Sequence, residues 1–321
     1  MKRVFLFISS LVIAITTNAQ APTFEWAKSV GGTGSDLGYS VATDASGNVY
    51  TIGLFTVIGD FDPGPATLNF TSAGGEDIFL TKLSASGNLL WAEQFGGTSD
   101  DEGTSVSIDG SGNVYIAGTF SNVVDFDPGP GVYNLTSAGA YDIFVAKLDA
   151  AGNFVWAKDL GGASYDFVLS LALDSSDNVY TTGVFENTAD FDPGAATFNM
   201  TSICTAGGDM YISKLDSSGN FVYAKDIGGN QPGRAYSITT DGSGNVYTSG
   251  YFQGTVDFDP GAGVFNLTPT GLHDLFILKL DSAGNFAWVK SIGGSLNDAA
   301  YYVKTDASGN IYSSGSFQLT V

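Results

Sequence analysis

The stretch Asp44-Ala-Ser-Gly-Asn-Val-Tyr50 decides the fold, because copies of it open at Asp109, Asp174, Asp241 and Asp306. An Asp hydrogen-bonds its own turn backbone, and Gly and Asn tolerate positive φ, so the segment reads as a tight hairpin. The Val-Tyr that ends it starts a run of strand formers. Three other markers keep the same step. Trp26-Ala-Lys, Trp91-Ala-Glu, Trp156-Ala-Lys, Tyr223-Ala-Lys and Trp288-Val-Lys lie 65, 65, 67 and 65 residues apart, and each leads into a Gly-Gly pair. Asp-Phe-Asp-Pro-Gly recurs at Asp60, Asp125, Asp190 and Asp257. An Asp followed by an apolar run and Lys-Leu opens at Asp77, Asp142, Asp209 and Asp274.

Each unit holds four strand-like runs, in the first Tyr39–Thr43, Asn48–Phe55, Asp77–Leu83 and Leu89–Phe95. Tight turns join runs one and two and runs three and four, and a longer acidic loop joins two and three. A four-stranded antiparallel unit of this length is a propeller blade, and stacking blades around an axis buries the apolar face that one sheet leaves open. The prediction is an all-β chain, a β-propeller of ~65-residue blades. The units fall at about 34–98, 99–163, 164–230 and 231–295, with an incomplete fifth at 296–321 and a lone N-terminal strand at 24–33. The anchor Trp is expected between blades. The missing third and fourth runs of the last unit suggest a fragment of a larger ring, monomeric or part of a longer chain. The third unit has two extra residues between Asp190 and Asp209, where the only cysteine, Cys204, sits, so Cys204 reads as a loop insertion.

The pattern Asp-x-Ser-Gly-Asn-Val-Tyr-x-x-Gly, with Phe-Asp-Pro-Gly and Asp-Ile-Phe-x-x-Lys-Leu, resembles the secreted bacterial β-propeller repeat family, SBBP. The resemblance covers 24–321. It implies a propeller on an exported or cell-surface protein and no defined ligand or activity.

Composition agrees. Gly is 43 of 321 residues, and Asp supplies nearly all of the 33 acidic residues, which favours turns over helices. The chain has 12 Lys and Arg and a net charge of −21, which excludes nucleic-acid binding and attraction to an anionic membrane. Met1-Lys2-Arg3, an apolar run from Val4 to Ile15 and Thr17-Asn18-Ala19 form a secretory leader over 1–19, cut before Gln20. No later segment is apolar and long enough to span a bilayer. The protein is therefore expected to be secreted or at the cell surface, with no membrane insertion after cleavage.

Catalytic constellations are scarce. His273 is the only histidine and reads as structural. Most basic residues follow the repeat, as in Lys82, Lys147, Lys214 and Lys279. A catalytic site needs unequal acids and bases, and here the acids recur in step. The expectation is no catalytic residues, no certain cofactor, and binding, adhesion or scaffolding for a protein or polysaccharide partner. The second reading is a carbohydrate-active hydrolase or lyase using paired carboxylates. The meander should gather Asp60, Asp62, Asp125, Asp127, Asp190, Asp192, Asp257 and Asp259 on one rim, joined there by Asp36, Asp101, Asp166 and Asp298. Two readings compete for these Asp pairs. One is a Ca²⁺ or cationic-partner site, since a hard cation takes six to eight oxygens. The other is turn architecture, with Phe anchoring the loop.

Overall fold

A computed structural model of the protein describes residues 23–318. The leader expected over 1–19 lies outside the described residues. Every regular element described is a β-strand. The first unit is an antiparallel meander of Asp36–Thr43, Val49–Asp60, Asn69–Leu83 and Leu89–Phe95. The second is Glu102–Ile108, Val114–Phe120, Asp142–Leu148 and Phe154–Gly162. The third is Asp166–Leu173, Val179–Phe185, Asp209–Leu215 and Phe221–Ile227. The fourth is Gly233–Thr240, Val246–Phe252, Asp274–Leu280 and Phe286–Ile292. Ala299–Thr305 and Ile311–Ser316 then form a two-stranded sheet.

The hairpins form for the reason the sequence gives. Asp44 Oδ1 accepts the N–H groups of Ser46 and Asn48 at 2.9 and 3.0 Å, and its Oδ2 accepts Asn48 Nδ2 at 2.7 Å. The left-handed residue is Gly47 (φ 76°), replaced in the third unit by Asp177 (φ 60°), a type that tolerates this region.

The apolar core lies between units. One cluster joins Tyr50, Ile52 and Leu80 of the first unit to Val106, Ile116 and Phe144 of the second, and two more clusters repeat this further along. Polar ties recur with them. Ser40, Ser105, Ser170 and Ser237 Oγ accept the N–H groups of Val106, Leu171, Ile238 and Val303 in the following unit, at 3.0–3.3 Å. The anchor aromatics reach across too. Trp26, Trp91 and Trp156 Nε1 donate to the carbonyls of Ala85, Ala150 and Ser217 at 2.9–3.4 Å. Each donor and its acceptor belong to consecutive units.

The connection between strands two and three differs from the loop predicted. It is a second hairpin, an arm whose two limbs pair as Val123–Asp125 with Asn134–Thr136, Thr188–Asp190 with Asn199–Thr201, and Val256–Asp257 with Asn266–Leu267. In the first unit Val49–Asp60 and Asn69–Leu83 carry the arm as their own extensions. Each arm docks on the Gly-Gly pair that precedes its unit: Gly31 and Gly32 on Asp60 and Gly59, Gly161 and Gly162 on Asp190 and Ala189, and Gly229 on Val256. This docking accounts for the second glycine. A Cβ on Gly162 would meet the carbonyl of Thr188, and one on Gly97 the carbonyl of Val123. Backbone can approach backbone this closely only without a side chain.

Candidate functional site

The acidic residues expected on one rim lie in separate places. Asp60, Asp125, Asp190 and Asp257 sit in the arms. Their Oδ1 atoms accept N–H groups from Asp62, Asp127, Asp192 and Asp259 at 3.0 Å. The same atoms accept from Leu68, Tyr133, Phe198 and Phe265 at 2.7–2.8 Å. Asp62, Asp127, Asp192 and Asp259 in turn cap Gly64, Gly129, Gly194 and Gly261 at 2.8–2.9 Å. The Phe between each Asp pair is fully buried, as the turn reading requires; Phe126 lies 4.7 Å from Phe144 and Phe191 4.9 Å from Tyr211. The tip itself runs down the outer flank. Asp127–Pro130 share a cleft with Gly152, Asn153, Phe154 and Glu93, and Tyr133 stacks on Phe154 at 4.7 Å. Asp127–Pro130 at the far end of the arm therefore lie beside the hairpin between strands three and four, while Asp60 and Asp190 stay against the Gly-Gly pair, so the single acidic rim expected is split along each arm. Among the described residues no three His, Cys, Asp or Glu side chains group as a metal cage.

Asp36, Asp101, Asp166 and Asp298 are clamps. Each accepts the N–H of the second glycine of the preceding pair (Gly32, Gly97, Gly162, Gly294) at 2.7 Å. Burial pushes Asp101 and Asp166 up to about 7. Beside Asp166 stand Asp142, raised by burial to about 6, and Asp159, raised to about 8 by burial and by the Asp142 and Asp166 charges. The Oδ1 atoms of Asp142 and Asp159 are buried without hydrogen-bond partners. A buried carboxyl in this setting favours its neutral form.

The innermost strands of all five units converge on an axial cavity of about 570 Å³. Each of these strands carries one bulge, between Gly38 and Ser40, Gly103 and Ser105, Val168 and Ser170, Ala235 and Ser237, and Ala300 and Tyr302. A bulge leaves one residue unpaired and re-aims its side chain. The five residues skipped are Tyr39, Thr104, Leu169, Tyr236 and Tyr301, and all five line the cavity. Glu102, Tyr302 and the tie serines Ser40, Ser105, Ser170 and Ser237 complete its wall.

Sequence reading missed this column because a bulge leaves no local mark and the column, three Tyr, a Thr and a Leu, does not keep one residue type. The neighbouring columns vary as well. The residue before each strand-three Asp is Glu76, Tyr141, Gly208 or His273. The residue after each strand-one clamp position is Leu37, Glu102, Phe167, Arg234 or Ala299. Their backbone frame stays constant: Asp101, Asp166 and Asp298 N–H groups donate to the carbonyls of Glu76, Tyr141 and His273 at 2.7–3.0 Å. One sector is acidic. Glu102 is raised by burial, by the Glu76 charge, by a hydrogen bond with Glu76 and by Asp100. Burial and then Glu102 and Glu76 raise the Tyr39 hydroxyl. The next sector is aromatic: Tyr141, Tyr165 and Phe167 stack at 5.9–6.1 Å, and Tyr141 Oη donates to Asp100 at 3.4 Å. Further round, Tyr236 packs on Tyr251 and Tyr301, and His273 lies 4.5 Å from Tyr251.

Residues 90–119 match the family described as beta-propeller repeat, SBBP. The chain carries the SBBP β-propeller repeat. The matched stretch runs from the last strand of the first unit to the second strand of the second, and the markers within it recur along the chain. An uncharacterized WD repeat-containing protein of Acanthamoeba polyphaga mimivirus is 26% identical over 246 residues, 68% of this chain and 18% of that one. Regulatory protein FlaEY of Caulobacter vibrioides is 30% identical over 190 residues, 59% of this chain and 19% of that one. The chain thus spans about a fifth of the length of these curated relatives. Two solved structures are similar over most of their length. A protein of unknown function from Bacteroides caccae has a TM-score of 0.31 at 12% identity, over 80% of this chain and 82% of that one. The Neurospora crassa Pan2 WD40 domain has a TM-score of 0.34 at 11% identity, over 85% and 84%. No helix among the described residues is long and apolar enough to cross a membrane.

Proposed function

We propose that this SBBP repeat chain is an exported, non-catalytic propeller scaffold that binds a ligand at its axial face. One observation carries the reading. The repeat keeps its residues where blades are joined, and lets the bulge column that points into one cavity vary among Tyr, Thr and Leu. Joining is the same task in every unit. A ligand on the axis meets each unit from a different side, so the units can diverge there. The Lys2-Arg3 leader and the SBBP resemblance support export to the cell surface. Hydrolysis by paired carboxylates is disfavoured: that chemistry needs two carboxyls facing one bond, and Glu102 is the one charged residue in the cavity wall.

The test is a melting-shift screen of the purified protein against saccharides, peptides, amines and Ca²⁺, since a ligand that binds only the folded state raises its stability. Hits should vanish in Tyr236→Ala and Tyr301→Ala and survive in the flank variant Asp127→Asn. Hits that survive the cavity variants overturn the axial reading. A Ca²⁺ shift lost only in Asp62→Asn or Asp127→Asn would move the site to the arm tips, where the Oδ1 atoms already serve the turn and a cation would rely on Oδ2.

A further inference from the structure

We infer that the axial cavity takes a small organic ammonium ion, its cationic head at Glu102 and its apolar body against the tyrosines. The inference rests on the axial binding reading and names the ligand class. Three observations lead to it.

The first is size and lining. At about 570 Å³ the cavity falls within the usual range for a small molecule, about 300–1,000 Å³. Tyr39, Tyr236, Tyr301, Tyr302 and Leu169 give it large apolar surfaces, and Glu102 is the one charged residue in its wall. Ring faces attract cations, because the π-system is negative above its plane.

The second is an uncompensated charge. Glu76 and Asp100 press the same sign on Glu102. Among the described residues the ion pairs are Lys214–Asp174 and Lys279–Asp241, and both lie at the Asp-turn hairpins. Arg234 occupies the register of Glu102 two units further round and makes no ion pair with it. A neutral ligand would leave the repulsion among these three acids in place, and a cation relieves it.

The third is the chain's own practice. At the hairpins a Tyr, a carboxylate and an ammonium meet as a set. Tyr180 Oη donates to Asp174 at 2.9 Å, and Lys214 Nζ sits 3.7 Å from that carboxylate and 4.8 Å from the Tyr180 ring centre. Tyr247, Asp241 and Lys279 repeat the set at 3.0, 3.9 and 4.9 Å. Tyr141 and Asp100 form the same hydroxyl–carboxylate pair within reach of the Glu102 charge, with no lysine. The ammonium that completes the set is the ligand's.

The experiment compares 2-phenylethylamine with its neutral isostere 2-phenylethanol by calorimetric titration of the purified protein near pH 8, where the amine is a cation, in about 0.15 M salt. The amine should bind at least tenfold more tightly than the alcohol. Glu102→Gln should bring the two within threefold, with an unchanged circular-dichroism melt. Asp127→Asn, the same change of charge on the outer flank, should leave the tenfold preference in place. Loss of preference in Asp127→Asn as large as in Glu102→Gln shows bulk attraction to an acidic protein and overturns the inference. Equal binding of amine and alcohol also overturns the ligand class, while leaving the axial cavity as a site. Binding of neither overturns the inference. In that case the axial reading stands only if some other screen hit is lost in Tyr301→Ala.

Discussion

The unit junctions and the axial cavity are built from the same strands, yet they treat the repeat in opposite ways. At the junctions one arrangement recurs: an Asp clamps the N–H of a Gly-Gly pair at 2.7 Å in four places, and a Ser accepts an N–H from the following unit in four places. At the cavity, five bulges put five side chains of three kinds around one axis. Joining one blade to the next poses the same packing problem each time, so its solution can be copied. Recognition gains from unlike neighbours. In a repeat chain, therefore, sameness marks stability and difference marks the binding face.

The larger effects should come from breaking a junction. Gly162→Val forces a side chain into the carbonyl of Thr188 and to within 3.0 Å of the Ala189 Cα. Neither partner is the flexible end of a side chain. The expected loss is on the order of 3 kcal/mol, read as a lower urea midpoint. Gly110→Ala is the control, because a Cβ there meets nothing within 4 Å; it should stay within about 0.5 kcal/mol. A Gly162 variant as stable as the control would show that the arm does not need its seat.

The second effect is a pH dependence of opposite sign in two places. At the hairpins, hydrogen bonds from Asn and backbone donors outweigh burial and hold Asp44, Asp174 and Asp241 below the usual carboxylate value. Their contribution is present above the unfolded pKa and is lost as pH falls. At the junction Asp159 is raised to about 8 and Asp142 to about 6. Their contribution is full below the unfolded value of about 4 and is lost as pH rises through the folded values. Asp159→Asn keeps the shape and removes the titration, so it should flatten the decline in stability between about pH 4 and 8. At pH 8 the gain should be on the order of 1–2 kcal/mol, well under the ideal linkage value because the site is partly solvated. Melts at stepped pH measure it. A steeper decline in Asp159→Asn than in the parent would reverse the assignment.

A smaller loss should follow Ser105→Ala. Ser105 Oγ accepts the Leu171 N–H at 3.0 Å in a buried place, and alanine leaves that donor unpaired, at a cost of about 1–2 kcal/mol. The fifth unit has Tyr302 at the corresponding register, where Ser105 and its counterparts also line the cavity. Tyr302→Ser should therefore leave stability within about 0.5 kcal/mol. Denaturant curves for the two variants show whether this column changes function where the ties end.

What the sequence made legible follows the same division. The hairpins, the four-strand meander, the buried Phe of Asp-Phe-Asp-Pro-Gly and the Trp bridges were all readable, because each is local or recurs in step. The arm's seat on Gly-Gly was not, because it pairs segments of different units whose register no local pattern records; Gly161 meets Asp190 only once the units pack. The acidic rim was misplaced for a related reason. Meander topology fixes which end of a blade a loop leaves from, but the arm then folds down the flank until Tyr133 reaches Phe154. The cavity column was hidden most deeply. A bulge is one extra residue, and Thr104 and Leu169 interrupt the tyrosines at Tyr39, Tyr236 and Tyr301, so repetition does not single the column out. The usable signal was the negative one: positions where an otherwise strict repeat stops repeating.

A small effect on stability, and the largest on binding, should come from Tyr301→Ala. Tyr301 is 43% exposed and packs at a tilt on Tyr236 at 5.3 Å. Its removal forfeits one aromatic contact worth about 0.5–1 kcal/mol and little buried area. Tyr50, equally aromatic but fully buried between units and edge-on to Trp91 at 6.0 Å, should cost about 3–5 kcal/mol when truncated. The contrast separates the two uses of tyrosine in this chain. If Tyr301→Ala melts as low as Tyr50→Ala, the axial tyrosines are core residues and the cavity is a packing defect. If it melts with the parent and abolishes a ligand-induced shift, the tyrosines are held at the axis by the bulges for a partner outside the chain.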